Sequence, residues 1–297
     1  MKRINYVIDF IGIGAEKSGS TWIGQCIAEH PEVYFPKNRE IFFFNDIDGH
    51  YLKYPNTRYS RGIDWYKRLY KHSPKGKKKG DWSIAYISSE ETARRIHSFL
   101  PEVKLIAILR NPVDRIISQY VHEIRLGLID KSVSIDEILK VRPDYIEKGY
   151  YAKQLKWYLK YFKKKQVLVL IYEEVKKNPD KYIRQIFKYL GLKNVDFKPR
   201  SLTRKINGAR SPAFPKLNSW MIKTEYFLRK YGMDPILSFF EASGIRQAAL
   251  WLRDLSGLNF RYPKVNDSTR RYLRSIFAKD VSRLEKLLNT SFSIWNE

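Results

Sequence analysis

The chain has 297 residues, 43% of them hydrophobic and 15% aromatic, which excludes a disordered chain and supplies apolar mass for a large core. Lys and Arg total 56 against 31 Asp and Glu, a net charge of +25 that attracts polyanions or phosphorylated ligands unless it is simply spread over solvated faces. One cysteine, Cys26, excludes an intramolecular disulfide, and no apolar run reaches the ~18–20 residues of a membrane span, so a soluble cytoplasmic protein is expected.

Residues 6–13 are apolar and β-branched and predict a buried first strand that runs directly into a glycine-rich stretch. Residues 21–29 carry apolar Trp22, Ile23, Cys26 and Ile27 at helical spacing, and Pro31 stops that helix. A short amphipathic helix follows over 63–70, and the lysine cluster KGKKKG at 75–80 reads as a mobile loop. Ser88-x-x-Glu91 has the capping-box pattern for a helix over 88–100. Residues 104–109 (KLIAIL) form the second apolar strand, followed by Arg110-Asn111-Pro112, in which Asn caps a helix and Pro takes its first position.

Further on, an aromatic helix is expected over 150–162, a third strand over 166–172 (QVLVLIY), and a helix over 179–190 stopped by Gly191. Residues 200–215 are basic, with Gly and Pro, and read as loop; helical patterns then dominate, ending at 268–288. Strands alternating with helices predict an α/β fold with a parallel sheet flanked by helices. One domain spanning 1–297 is expected, with a helical C-terminal region from about 212 packed on it. Ligand should then lie beyond the carboxyl ends of the strands, near Gly14, Arg110 and Tyr172.

Gly12 to Thr21 (GIGAEKSGST) nearly spells an ATP-binding loop, G-x-x-x-x-G-K-[ST], with Gly14 and Gly19 at the required spacing. The residue after Gly19 is Ser20 rather than lysine, and the nearest lysine, Lys17, lies inside the loop. A glycine turn opening a helix aims backbone N–H groups at an anion. Without the terminal-phosphate lysine, and with no acidic residue ending a recognised strand to hold a metal, this cradle suits a ligand with a single 5′-phosphate group. No metal is implied.

The arrangement resembles the sulfotransferase family that uses 3′-phosphoadenosine 5′-phosphosulfate (PAPS). The family's K-[ST]-G-[ST]-[ST] loop corresponds to Lys17, Ser18, Gly19, Ser20 and Thr21, followed by Trp22. Its strand-Arg-x₇-Ser element corresponds to Arg110 and Ser118, which the resemblance assigns to the 3′-phosphate. Tyr172-Glu173-Glu174, Asn178-Pro179 and Tyr189-Leu190-Gly191-Leu192 continue the likeness, as does the tail from Ala278-Lys279-Asp280 to Trp295. The resemblance implies a P-loop-like sulfotransferase fold, with PAPS as donor and adenosine 3′,5′-bisphosphate as product.

It also implies roles. Lys17 would neutralise charge on the bridging oxygen as the sulfur–oxygen bond breaks. Glu40, in Asn38-Arg39-Glu40-Ile41-Phe42-Phe43-Phe44, occupies the position of the glutamate base of glycan-modifying members, and burial beside the phenylalanines would raise its pKa towards a useful value. Asp81 is the second candidate base, in Gly80-Asp81-Trp82-Ser83-Ile84-Ala85-Tyr86, which lacks the lysine and proline of the family's G-E-K-S-P-x-Y. Lys205, Asn207 and Gly208 would close a basic loop over the 3′-phosphate, Tyr172 lies at the pocket, and Trp22 and Trp82 could stack on adenine. His122 reads as a helix-surface or packing residue. The acceptor would offer a hydroxyl or an amine, with carbohydrate the leading class and no dedicated nucleic-acid binding. A degenerate P-loop kinase or NTPase, and a non-enzymatic polyanion-binding protein, are the alternatives.

Overall fold

The computed structural model describes residues 8–37, 39–48, 54–55, 58–203, 215–231, 233, 236 and 263–295. The apolar runs become neighbouring strands: β1 (Phe10–Gly14), β2 (Val33–Tyr34), β5 (Lys78–Trp82), β6 (Lys104–Leu109) and β7 (Val167–Ile171) form one parallel sheet in the order β2-β5-β1-β6-β7. Between β2 and β5, β3 (Ile47–Asp48) and β4 (Tyr54–Pro55) make a separate antiparallel pair. The helices are α1 (Ser20–Ala28), α2 (Gly62–Arg68), α3 (Glu90–Phe99), α4 (Pro112–Arg125), α5 (Ile135–Val141), α6 (Asp144–Glu147), α7 (Tyr151–Tyr161), α8 (Tyr172–Lys177), α9 (Pro179–Leu190), α10 (Pro215–Lys230) and, among the described residues, α11 (Asp267–Leu288).

The period-2 alternation of strand side chains sorts the core into two layers. Leu105, Ala107 and Leu109 of β6 face a cluster with Ile96 of α3, Leu155 and Tyr158 of α7 and Leu284 of α11. Ile106 and Ile108 face the other way, against Ile23 and Ile27 of α1 and Ile183, Ile186 and Phe187 of α9. α11 is tied to the sheet layer by a cap as well as by packing. Asp280 accepts from the backbone N–H of Ala152 at 2.9 Å and of Lys153 at 3.3 Å, satisfying donors of the first turn of α7.

The expected punctuation is present at both ends of the important helices. Asn111 Oδ1 accepts from Val113 N–H at 3.0 Å with Pro112 opening α4, and Gly191 ends α9 at φ 76. Two expectations are corrected. α3 is capped by Ser89, whose hydroxyl accepts from Thr92 N–H at 3.3 Å, not by Ser88. The lysine cluster is not a loop throughout: Lys78–Trp82 is an interior strand paired on both sides, by β1 and by β2.

Trp82 explains much of the packing under the glycine loop. It is 3% exposed, donates Nε1–H to Ser20 O at 2.8 Å, and lies so close to Gly12 and Gly24 that a Cβ there would approach it to 2.2 and 2.6 Å. Trp82→Ala is expected to destabilise the chain by about 3–5 kcal/mol, through the cavity left between β1 and α1; urea unfolding measures it.

Candidate active site

β1 delivers the chain to the loop, and α1 begins immediately after it. Gly19 sits at the N-cap of α1 with φ 74, and a Cβ on it would come within 2.5 Å of the Tyr172 ring, so only glycine fits. Lys17 lies inside the loop at φ 63, a left-handed conformation that costs a non-glycine residue ~1–3 kcal/mol and so marks a constrained position. Ser18 is fully buried, Ser20 is 3% exposed as the first residue of α1, and the Thr21 beside it is exposed. Glu16, also in the loop, pairs with Lys148 at 2.8 Å and so fastens the loop to the segment after α6.

Lys17 is held in an electropositive setting. Burial, then the charge of Arg125 and more weakly that of Arg110, lower its pKa from 10.5 to about 8, against upward pulls from Glu16 and Glu123. Arg110, at the end of β6, donates from Nη1 to Lys17 O at 3.1 Å, and its guanidinium lies 5.1 Å from the centre of the Tyr172 ring. Its Nε is buried with no hydrogen-bond partner, as is Nη1 of Arg39. The open N–H of Arg110, bonded as it is to this loop, is a donor an anion would satisfy.

α4 crosses in front of this loop. Ser118 is half-buried on it, followed one turn on by His122 and two turns on by Arg125, whose guanidinium reaches His122 Nδ1 at 2.8 Å. The i, i+4, i+7 spacing puts the three on one helix face. Arg125 was not singled out from the sequence, although that spacing from Ser118 was readable. Glu173 is the other omission. It accepts from Asn111 N–H and from Trp295 Nε1–H, each at 3.0 Å, while Asn111 Nδ2 donates to Trp295 O at 2.8 Å. The tail is thereby clamped onto the turn that carries Arg110.

The remaining candidates divide. Trp22 is half-buried and donates Nε1–H to Ser201 O at 2.9 Å, while Ser201 bonds through N–H and Oγ to Glu29, so α1 anchors the chain just before residue 204. Lys205, Asn207 and Gly208 lie outside the described residues. Trp82 belongs to the core beneath the loop and not to an adenine pocket, a correction that follows from its packing on Gly12 and Gly24.

The two carboxylates differ in environment, and Glu40 departs from expectation. Glu40 is exposed rather than buried among phenylalanines, because Ile41, Phe43 and Phe44 turn into the core and leave it outside. Asp81 is fully buried on β5, and burial pushes its pKa up to about 6; hydrogen bonds from Ser83, Tyr66 and Tyr86 pull it down, and the charge of Glu40 pushes it further up. An acidic residue therefore does lie near the carboxyl end of a strand, but its oxygens are engaged by protein hydroxyls. Among the described residues no three His, Cys, Asp or Glu side chains are grouped to hold a metal ion.

A family model described as a sulfotransferase domain matches residues 8–230. The chain belongs to the sulfotransferase family. It is 32% identical over 146 residues to the membrane-associated sulfotransferase kil1 of Dictyostelium discoideum, covering 47% of this chain and 29% of that protein. It is 30% identical over 202 residues to human bifunctional heparan sulfate N-deacetylase/N-sulfotransferase 2, covering 62% of this chain and 22% of that one. The match thus spans less than a third of either relative. The crystal structure of a sulfotransferase from Alicyclobacillus acidocaldarius superposes with a TM-score of 0.69 at 24% identity, covering 98% of this chain and 99% of that chain, which establishes the shared fold. No helix among the described residues is long and apolar enough to cross a membrane.

Proposed function

We propose that this protein transfers a sulfuryl group from PAPS to a hydroxyl, or an amine, of an acceptor, and that the acceptor is a carbohydrate. The observation that carries the reading is the joining of Lys17 and Arg110 through the 3.1 Å bond from Arg110 Nη1 to Lys17 O. Two cation-bearing residues joined in this way suit a nucleotide bearing separate anionic groups at its 5′ and 3′ positions.

The residues present fit such a donor. The loop N–H groups and the hydroxyls of Ser20 and Thr21 would take the 5′ end, with Gly19 leaving room beside Tyr172. Arg110, with its open buried Nε, and Ser118 would take the 3′-phosphate, joined by Lys205, Asn207 and Gly208. When bound, PAPS supplies sulfur already activated by a phosphate leaving group. Lys17 supplies positive charge at the bond being broken, Glu40 removes the acceptor proton, and the loop holds the donor in register. The name of the human relative, a heparan sulfate enzyme, supports carbohydrate as acceptor. A cytoplasmic setting suits a chain with one cysteine, Cys26, which is buried.

Calorimetric titration tests the donor. Adenosine 3′,5′-bisphosphate is expected to bind tightly in EDTA and AMP weakly. A preference for Mg-ATP would return the kinase or NTPase reading, and steeply salt-dependent binding indifferent to the 3′-phosphate would return the polyanion reading. Arg110→Ala is expected to weaken bisphosphate binding by roughly 1.5–3 kcal/mol, the range for charge-assisted hydrogen bonds, and to leave AMP binding unchanged. Equal losses for the two ligands would remove Arg110 from the 3′ site.

A further inference from the structure

Residues 39–45, which carry Glu40, form neither helix nor strand. Their backbone is nevertheless pinned along its length. Trp82 N–H donates to Arg39 O at 3.1 Å, and Arg58 Nη1 donates to Ile41 O at 2.5 Å. Phe42 N–H donates to Ser83 Oγ at 2.9 Å, Phe44 N–H donates to Tyr86 Oη at 3.3 Å, and Arg95 Nη1 donates to Asn45 O at 2.6 Å. Two of these holds use a hydroxyl as acceptor, and both hydroxyls spend their own proton on the same carboxylate. Ser83 Oγ–H donates to Asp81 Oδ1 at 2.6 Å, and Tyr86 Oη–H donates to Asp81 Oδ2 at 2.9 Å. Tyr66 Oη–H completes the set, donating to Oδ2 at 2.8 Å.

A hydroxyl has one proton and two lone pairs. With its proton committed to Asp81, each hydroxyl turns a lone pair towards the waiting N–H. We propose that Asp81 is a positioning residue that acts through Ser83 and Tyr86 to fix the backbone at Phe42 and Phe44, and thereby holds Glu40 for proton abstraction. The inference rests on the reading of Glu40 as the base.

Three further observations agree with it. Phe42 adopts φ 51, a conformation a bulky residue holds only when its surroundings determine it, and its N–H is the one that Ser83 accepts. Phe43 stacks on Tyr66 with ring centres 4.7 Å apart, and Tyr158 Oη–H donates to Tyr86 O at 2.6 Å, so the partners of Asp81 are themselves immobilised. Asp81 is enclosed completely, which denies it contact with an acceptor. Tyr66 of α2, Tyr70 just after it, Tyr86 and Ser83 after β5, and Glu40 are the titratable or polar groups that face it. Burial holds all three phenols well above their usual range, so they stay neutral donors while Asp81, at about 6, is a carboxylate at neutral pH.

The test uses Asp81→Asn, Ser83→Ala and Tyr86→Phe, each alone and combined with Glu40→Gln. Amide hydrogen exchange is read over residues 39–45, together with bisphosphate affinity, thermal midpoint and kcat. Turnover is followed as release of adenosine 3′,5′-bisphosphate from PAPS, with water and with a desulfated heparan-type oligosaccharide as acceptor. Exchange is expected to rise about tenfold or more at Phe42 alone in Ser83→Ala, at Phe44 alone in Tyr86→Phe, and at both in Asp81→Asn. Each single variant should lower kcat by roughly 5–30-fold, the rate equivalent of about one hydrogen bond, with bisphosphate affinity kept.

In the Glu40→Gln background those losses should shrink to under about threefold, because the group they position is already gone. Undiminished losses there, or unchanged exchange at Phe42 and Phe44, overturn the proposal while leaving the Glu40 assignment standing. A Glu40→Gln variant with full turnover removes the base assignment and the relay with it. Should Asp81→Asn fail to fold, the two hydroxyl variants carry the same comparison.

Discussion

Lys17→Ala is expected to lower kcat by roughly 10²–10³-fold, the loss seen when a preorganised group that stabilises transition-state charge is removed. The geometry explains why the effect falls on turnover more than on donor affinity. In the proposed site the loop N–H groups, the α1 terminus and Arg110 would remain to hold the nucleotide, and Arg110 meets Lys17 through its backbone carbonyl, which alanine retains. In the proposed reaction the ammonium is the part that would answer charge appearing on the bridging oxygen. Its lowered pKa of about 8 gives a second reading of the same residue. The free protein carries most of the cation at neutral pH and loses it as pH rises through about 8, so kcat/KM for the donor should fall on that limb. The sign follows from burial and from the neighbouring positive charges of Arg125 and Arg110, both of which favour the neutral amine. Lys17→Ala should lack the basic limb as well as the rate. A Lys17→Ala protein that turns over at the wild-type rate would dismiss the sulfuryl-transfer role of this lysine.

How much of this was readable before the structure differs between elements. β6 and β7 could be read directly, because KLIAIL, an inner strand, and VLVLI, the edge strand paired with it, pack against helices on both faces and so need apolar residues almost throughout. β5 could not be read that way. Its lysines cluster at the strand's start, where Lys78 pairs with Asp9 at 3.0 Å, and its first buried position is a glycine. Gly80 is there because Phe10 and Phe35 fill the space a side chain would need, with a Cβ approaching them to 2.4 and 2.5 Å. The apolar signal of that strand is therefore supplied by its neighbours, and its own residues look like a solvated charge run. The glycine loop and Arg110 were legible because each is a short motif at a strand end, where local sequence dictates local geometry. The setting of Asp81 was not legible, since Tyr66, Ser83 and Tyr86 meet it only once α2 and the turn after β5 have packed together.

The exposure of Glu40 alters the argument for it as base and sharpens its test. A buried carboxylate is made basic by desolvation, which is the environment found at Asp81 and not at Glu40. An exposed carboxylate has to be made effective by placement, which under the proposal the pinning of residues 39–45 would provide, with desolvation following only when an acceptor covers it. Glu40→Gln keeps the size of the side chain and removes only the ability to take a proton. It is expected to leave the affinity for adenosine 3′,5′-bisphosphate within about twofold, because Glu40 is no part of the loop or of the Arg110 turn, and to lower kcat by roughly 10²–10⁴-fold. Asp81→Asn, measured beside it, should cost less, since an enclosed group that positions the base contributes a fraction of what the base itself does. The reverse ranking, with Glu40→Gln losing less than about tenfold and Asp81→Asn far more, would transfer the proton-abstracting role to Asp81 and would require the pocket to open around it during turnover.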